Sequence, residues 1–377
     1  MKKTKSSNPA RLIAFFLTGL LLICTFGFTA DGWHLGDGDS GNIADKGENI
    51  PSGTPDDDGN GNDTSDAETP LPDEEAGAYI PEFINRITGL EADERMATGD
   101  YYAFVLDGSP PSFGIADADL FCRIPTEDGG VRSIAFIHEG VRLWKVGSIA
   151  KSRGYISNIA KFFGGICISA GVEDKISYNQ CDVSLSHIDI SLDTRHHYTE
   201  FQDRIYTNSD LLASATADGK ISADIGSVRL PYDFRDFGSE PARDGPTAKK
   251  VNILRNDKSC TELIYNEESG RYMIREGGLP LTDSTNGKQV EFTNCFVLFA
   301  DSVIYDNSEC SQMVMDTIGR GVGYYFSGGV CTEIFWSSSA AGEMCFSLES
   351  GERLSINRGN LFITFEKSSQ SGNIIIE

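Results

Sequence analysis

Positive charge is scarce in this chain. Lys and Arg number 32 against 56 Asp and Glu, giving a formal charge of −24 over 377 residues. Binding to phosphate backbones needs clustered Lys and Arg, so nucleic acid is excluded as a partner. An anionic membrane surface would repel most of the chain for the same reason. Histidine is scarcer still, with five. Neither Cys-x-x-Cys nor His-Glu-x-x-His occurs, so the closely spaced ligand sets of zinc sites are lacking. Ser148 and Lys151 form Ser-x-x-Lys, the nucleophile pair of penicillin-recognising enzymes, but no Lys-Thr-Gly follows it. A solvated Ser and Lys at a helix start is the plainer reading. No stretch spells out a complete catalytic set, and no metal or cofactor is expected.

What is present begins at the N-terminus. Lys2, Lys3, Lys5 and Arg11 precede Leu12–Ala30, an uncharged run of nineteen residues. At about 1.5 Å per residue such a helix nearly matches a bilayer core of roughly 30 Å. Basic residues before it and Asp31, Asp37 and Asp39 after it put the rest of the chain outside the cytoplasm. An uncleaved membrane anchor in residues 1–30 is the expectation. Cys24 is the lipidation candidate, although Ile23 stands where a lipoprotein signal has a small residue; a cut after Gly32 is the third alternative.

Residues 31–78 hold fourteen acids against Lys46, with Gly, Asn and Pro in abundance. Too little apolar surface is available to offset chain entropy, so this segment reads as a disordered acidic tether. Asp56, Asp58, Asn60 and Gly61 imitate the start of an EF-hand loop, but Ala67 stands where the bidentate acid belongs. A solvated linker is the better reading.

From Tyr79 the composition becomes globular. Phe83, Ile84, Ile87 and Leu90 have helical spacing, stopped by Gly89. Tyr101–Gly108 is an apolar run ending in a turn, as a buried strand does, and RSIAFIHEG offers a second strand. Tyr155, Ile159, Phe162, Phe163 and Ile166 make one apolar helix face closed by Gly164 and Gly165. Val183, Leu185, Ile188, Ile190 and Leu192 follow in strand alternation. The expected fold class is α/β, with a mixed α/β domain over 79–240. Gly238–Pro246 reads as a connector, and a smaller β-rich domain is expected over 248–377. There Asn266–Gly270 reads as a hairpin turn. Phe292, Asn294, Phe296 and Leu298 alternate with Cys295, Val297 and Phe299, and Ser350 and Gly351 turn a last hairpin.

The stretch NRITGLEADERMATGDYYAFVLDG resembles the opening of the YerB-like lipoproteins, a bacterial envelope family of unknown function. Asn85, Thr88, Gly89, Leu90 and Asp107 match its pattern, while Arg86 replaces a Pro and Gly108 an Asn. Ala118, Asp119 and Glu127–Arg132 are similar to later family segments. Tyr272, Arg275, Asp283, Asn294, Trp336 and Gly359 are similar in the second half. The likeness covers nearly all of residues 80–366. Departures fall at polar positions: Arg123 occupies a family Glu position, Ala150 an Arg position, and Asp203–Thr207 lacks a family His and Asn. The resemblance implies a divergent member with altered or absent activity.

Asp107, Asp119, Glu127, Arg132 and Arg153 each follow or border an expected strand, where open α/β sheets bind ligands. They form the candidate ligand site; salt links that hold loops are the competing reading. His187, His196 and His197, with Asp189 and Asp193, read as surface histidines rather than a metal set. Eight cysteines lie beyond the anchor, with Cys167, Cys295 and Cys345 flanked by apolar residues as buried thiols are. The expected protein is a membrane-anchored, extracytoplasmic binding or scaffold module whose partner is an envelope polymer or protein; the alternative is a hydrolase or transferase acting on a wall or surface polymer. Intact mass of the protein recovered from membranes separates the three fates of the N-terminus. The retained anchor predicts the full-length mass, against a diacylglycerol adduct starting at Cys24 or a chain starting at Trp33.

Overall fold

The segment YYAFVLD, Tyr101–Asp107, buries six of its seven residues. Tyr101, Ala103 and Val105 enter one apolar core, while Tyr102, Phe104 and Leu106 enter another. Side chains alternate along a strand, so an unbroken apolar run means that both faces are covered. The computed structural model of the chain describes residues 79–172, 189–221, 228–256, 259–306 and 311–377. The anchor (1–30), the tether (31–78) with its calcium-like loop, His187, Cys24, Cys181 and Cys310 lie outside them. No helix among the described residues is long and apolar enough to cross a membrane.

In chain order the first strands are β1 (Tyr101–Asp107), β2 (Leu120–Pro125), β3 (Val131–His138), β4 (Val146–Ile149) and β5 (Gly165–Ser169). Then come β6 (Asp189–Ser191), β7 (Tyr198–Glu200), β8 (Arg204–Thr207) and β9 (Asp233–Phe234). The helices are α1 (Glu94–Thr98), α2 (Gly154–Phe162) and α3 (Ser209–Ala217). A second group comprises β10 (Lys250–Asn256), β11 (Ser259–Asn266), β12 (Arg271–Glu276), β13 (Leu279–Pro280) and β14 (Glu291–Phe292). The chain continues through β15 (Asn294–Ala300), β16 (Ser302–Asp306), β17 (Ser311–Met315), β18 (Arg320–Ser327) and β19 (Val330–Ser338). It ends with β20 (Met344–Ser347), β21 (Ser355–Ile356), β22 (Leu361–Lys367) and β23 (Ile374–Ile376).

The large sheet runs β20-β19-β18-β15-β22-β2-β3-β1-β4-β8-β7, with β5 and β6 branching from β1. Its middle joins the two ends of the chain: β22 lies parallel to both β2 and β15, with Leu361 opposite Leu120 and Asn294. The smaller sheet, β13-β12-β11-β10-β23 with β14 on β12, packs on one face of the large one. There Phe121 stacks on Phe292 at 6.3 Å between centroids. The opposite face is covered by α2, whose Tyr155, Ile156, Ile159 and Phe162 are buried, and by Met313 and Met315 of β17.

This architecture overturns the expected mixed α/β fold. The described residues are mostly strand, and α2 and α3, the longest helices among them, have nine residues each. Both faces of the large sheet are covered, one by α2 and β17 and the other by the smaller sheet together with α3. The helix expected at 83–90 is also absent. Asn85 Oδ1 accepts the backbone N–H groups of Ile87 at 3.0 Å and Thr88 at 2.9 Å, closing a turn instead. Gly89 follows at φ +67°, and a Cβ there would lie 2.7 Å from the Phe234 ring. Gly108 stands where a Cβ would meet the Val131 carbonyl oxygen at 2.0 Å, so a side chain does not fit there without a shift of the backbone. The helix over α2 and the turn at Asn266–Gly270 form as read, although Ile166 belongs to β5.

Between the two sheets lie four charged side chains. Arg123 of β2 and Glu366 of β22 come from the large sheet, and Arg255 of β10 and Glu276 of β12 from the small one. Arg255 Nε donates to Glu366 at 2.9 Å and its Nη2 at 2.6 Å, while Arg123 Nε lies 3.2 Å from Glu276. Thr261 and Thr364 donate a further hydrogen bond to Glu276 and Glu366, each at 2.8 Å. Burial pulls the Arg123 guanidinium down from its usual range; for Arg255 burial acts the same way, but Glu366 and Glu276 outweigh it and raise the net value. Removing one partner of such a pair leaves an uncompensated buried charge, whereas replacing both by apolar groups is often neutral. Arg255→Met is therefore expected to lower stability by about 3–5 kcal/mol in chemical unfolding, and Arg255→Met with Glu366→Leu to recover most of it. A single-variant loss under about 1 kcal/mol would contradict this role.

Candidate functional site

Of the five residues chosen from sequence, four sit at one end of the central strands. Glu127 follows β2, and Arg153 occupies the N-cap position of α2. Arg153 Nη1 and Nη2 donate to the two Glu127 oxygens at 2.7 and 2.9 Å, a bidentate pair. The Met313 N–H adds a third hydrogen bond to Glu127 at 3.2 Å. The Arg153 side chain is only 4% exposed and that of Glu127 19%. Asp107 and Arg132 are cross-strand neighbours of β1 and β3. Asp107 accepts the Ser109 N–H at 3.2 Å, and Arg132 donates to the Lys151 carbonyl at 2.6 Å.

Asp119 is not with them. It precedes β2 at the opposite strand end, where its carboxylate accepts from Asn85 Nδ2 at 2.8 Å and from Tyr101 Oη at 2.5 Å. Burial, then the Asp119 charge, push the Tyr101 phenol well above its usual range. The family-like Asn85, Thr88 and Gly89 are thus a clasp: the Thr88 carbonyl accepts from Gly359 N–H at 2.8 Å and the Gly89 carbonyl from Arg358.

The remaining candidates also resolve. His196 is buried rather than on the surface, with Nδ1 3.0 Å from Asp193 and Nε2 3.1 Å from Asp218. Arg195 bridges the same two carboxylates, so the aspartates order this loop. No group of three His, Cys, Asp or Glu side chains poised for a metal occurs among the described residues. Ser148 is buried within β4 rather than solvated at a helix start, and Lys151 is exposed beyond that strand. Cys167 and Cys295 are buried, while Cys345 is half-buried.

Sequence reading passed over a pocket of about 220 Å³ lined by Arg235, Arg243 and Arg358 together with Asp236 and Asn357. Arg235 and Arg243 flank the start of the connector, Arg358 lies more than a hundred residues further on, and the three share no local motif. Only the pairing of β9 with β21 brings Arg235 beside Arg358.

Glu127 is held in its ionised form. Burial opposes its ionisation, but the hydrogen bonds from Arg153 and from backbone N–H groups prevail and hold its pKa at about 2. For Arg153 burial lowers the value, and the Glu127 hydrogen bonds more than reverse this. A depressed carboxylate stabilises the fold above its unfolded pKa of about 4.3, and that stabilisation is lost as pH falls through the folded value. Glu127→Gln is expected to cost about 3 kcal/mol at pH 7 in chemical unfolding, by leaving Arg153 buried without its carboxylate. The gap between variant and parent should narrow as pH falls from about 4 towards 2. A gap that does not change with pH would contradict the ion pair as its cause.

Residues 250–363 match the family described as "Protein of unknown function (DUF3048) C-terminal domain". The curated "Putative lipoprotein YerB" of Bacillus subtilis (strain 168) is 22% identical over 258 residues, covering 66% of this chain and 76% of YerB. The crystal structure of the B. subtilis YerB protein superposes with a TM-score of 0.66 at 19% identity, covering 78% of this chain and all of the other. That likeness shows a shared fold. Over about two thirds of its length the chain is thus homologous to YerB, and its residues 250–363 match the DUF3048 C-terminal domain.

Proposed function

We propose that residues 79–377 form a non-catalytic binding module, held at the outer face of a bacterial membrane, that engages a polymer or protein of the cell envelope. The Leu12–Ala30 run and the acidic segment after it support the placement. The lipoprotein name carried by YerB adds to it and favours attachment near Cys24.

One observation carries the non-catalytic reading. Glu127 is the carboxylate best placed for acid–base work, and it accepts two hydrogen bonds from Arg153 and one from Met313. A general acid or base works best with a pKa near the operating pH, and a carboxylate held at about 2 is far from it. The hydrolase or transferase alternative draws on Asp107, Glu127, Arg132 and Arg153 sharing one strand end. Glu127 and Arg153 pair with each other, Arg153 also donates to Tyr155 Oη at 3.3 Å, and Asp107 and Arg132 bond backbone groups, as in a structural brace.

Purified protein incubated with labelled envelope polymers is expected to retain polymer saturably and return it intact. Product formation should not exceed the blank for the parent or for Glu127→Gln. Turnover by the parent that Glu127→Gln abolishes would replace this reading by the enzymatic one.

A further inference from the structure

Arg358 follows β21 and its guanidinium lies 3.5 Å above the centroid of the Phe237 ring. It donates to the Gly89 carbonyl at 2.5 Å, while its Nε is buried without a hydrogen-bond partner. Burial lowers its pKa from the usual range. Stacking on an aromatic face and one anchoring hydrogen bond fix the plane of the fork before any ligand arrives. Arg235, just after β9, likewise has a buried Nε with no partner. Arg243, on the connector, is exposed. All three line the same pocket of about 220 Å³, and none forms an ion pair among the described residues.

Part of the remaining wall is already committed. Asn357 accepts from the Ala242 N–H at 3.0 Å and donates to Ser327 Oγ at 2.8 Å, and Ser327 donates to the Thr293 carbonyl. Recognition therefore falls to the guanidinium groups. Three of them face one carboxylate, Asp236, so the pocket carries two positive charges in excess. In a chain with a formal charge of −24 this is a local reversal of sign.

We propose that this pocket binds the dianionic head of a phosphomonoester. A carboxylate or a phosphodiester brings a single negative charge and would leave one positive charge unmatched. A phosphomonoester brings about −1.5 to −2 at pH 7, with three acceptor oxygens suited to the planar Arg fork. The volume is below the roughly 300–1,000 Å³ of drug-sized sites, which suits a phosphate on a short polyol or sugar. The inference rests on the binding-module reading and names the chemistry that such a module would recognise.

Calorimetric titration of the full chain with glycerol 3-phosphate, inorganic phosphate, glycerophosphocholine and acetate, at low salt, tests it. Glycerol 3-phosphate is expected to bind at least tenfold more tightly than glycerophosphocholine or acetate. Its affinity should fall severalfold from pH 7.5 to pH 5, as the second phosphate proton, with a pKa of about 6, is taken up. Arg243→Ala, which removes an exposed side chain, should weaken binding at least fivefold with an unchanged Tm; Arg358→Met should do so more strongly. Inorganic phosphate binding as tightly as the ester would identify the free ion as sufficient and still support the class. Equal binding of acetate, no binding of any phosphate, or affinity untouched by Arg243→Ala would overturn the proposal. Loss of phosphate binding in a protein that still retains envelope polymer intact sinks this pocket alone, whereas turnover of polymer sinks the module reading whether or not phosphate binds.

Discussion

Arg123, Arg255 and Glu366 must leave water together, and Glu276 must go most of the way with them. Each is costly to bury alone, by several kcal/mol, and each is compensated only when both sheets are formed and docked with β2, β10, β12 and β22 in one relative position. Apolar packing between the sheets is tolerant of small slips, since Phe, Val and Ile surfaces are non-directional. Hydrogen-bonded charge is not. The network thus confines two otherwise greasy surfaces to one arrangement, with Glu276 of the small sheet held against Arg123 of the large one.

The same docking sets everything that the function draws on. The parallel placement of β22 between β2 and β15 brings the C-terminal segment against the Asn85–Gly89 turn, where Gly359 and Arg358 bond to the Thr88 and Gly89 carbonyls. Arg358, anchored there, is held against the arginine pocket. On the far end of the strands, Glu127 and Arg153 tie the exit of β2 to the start of α2 and to β17 through Met313. One strand end is therefore braced by charge pairing, while the pocket keeps charge unpaired. The contrast between a satisfied carboxylate and guanidinium groups without carboxylate partners among the described residues is the observation behind the proposed binding reading.

Much of this was legible in the residues. The apolar runs at Tyr101–Leu106 and Cys295–Phe299 are strands buried on both faces, and the Asn266–Gly270 turn forms where its residue types put it. The fold class was not legible, because periodicity reports that a face is covered without saying whether a helix or a sheet covers it. Nor was the turn at Asn85: Phe83, Ile84, Ile87 and Leu90 have helical spacing, and the side-chain hydrogen bonds of Asn85 override it. At the candidate site, Glu127 and Arg153 could be guessed as a charged pair near strand ends, but Asp119 sits at the other end because β2 is entered there. The arginine pocket carries no sequence signal, since its parts meet only through β9 and β21.

The central claim is that the shared sheet makes residues 79–377 one cooperative structure, with the first half unable to persist without β15 and β22. Native-state amide hydrogen exchange across increasing denaturant tests this most directly. The amides of β2 and β3 should exchange through the same opening, with the same free energy and denaturant slope, as those of β15 and β22. Opening of β1–β3 at a distinctly lower free energy, with β15 and β22 still protected, would contradict it.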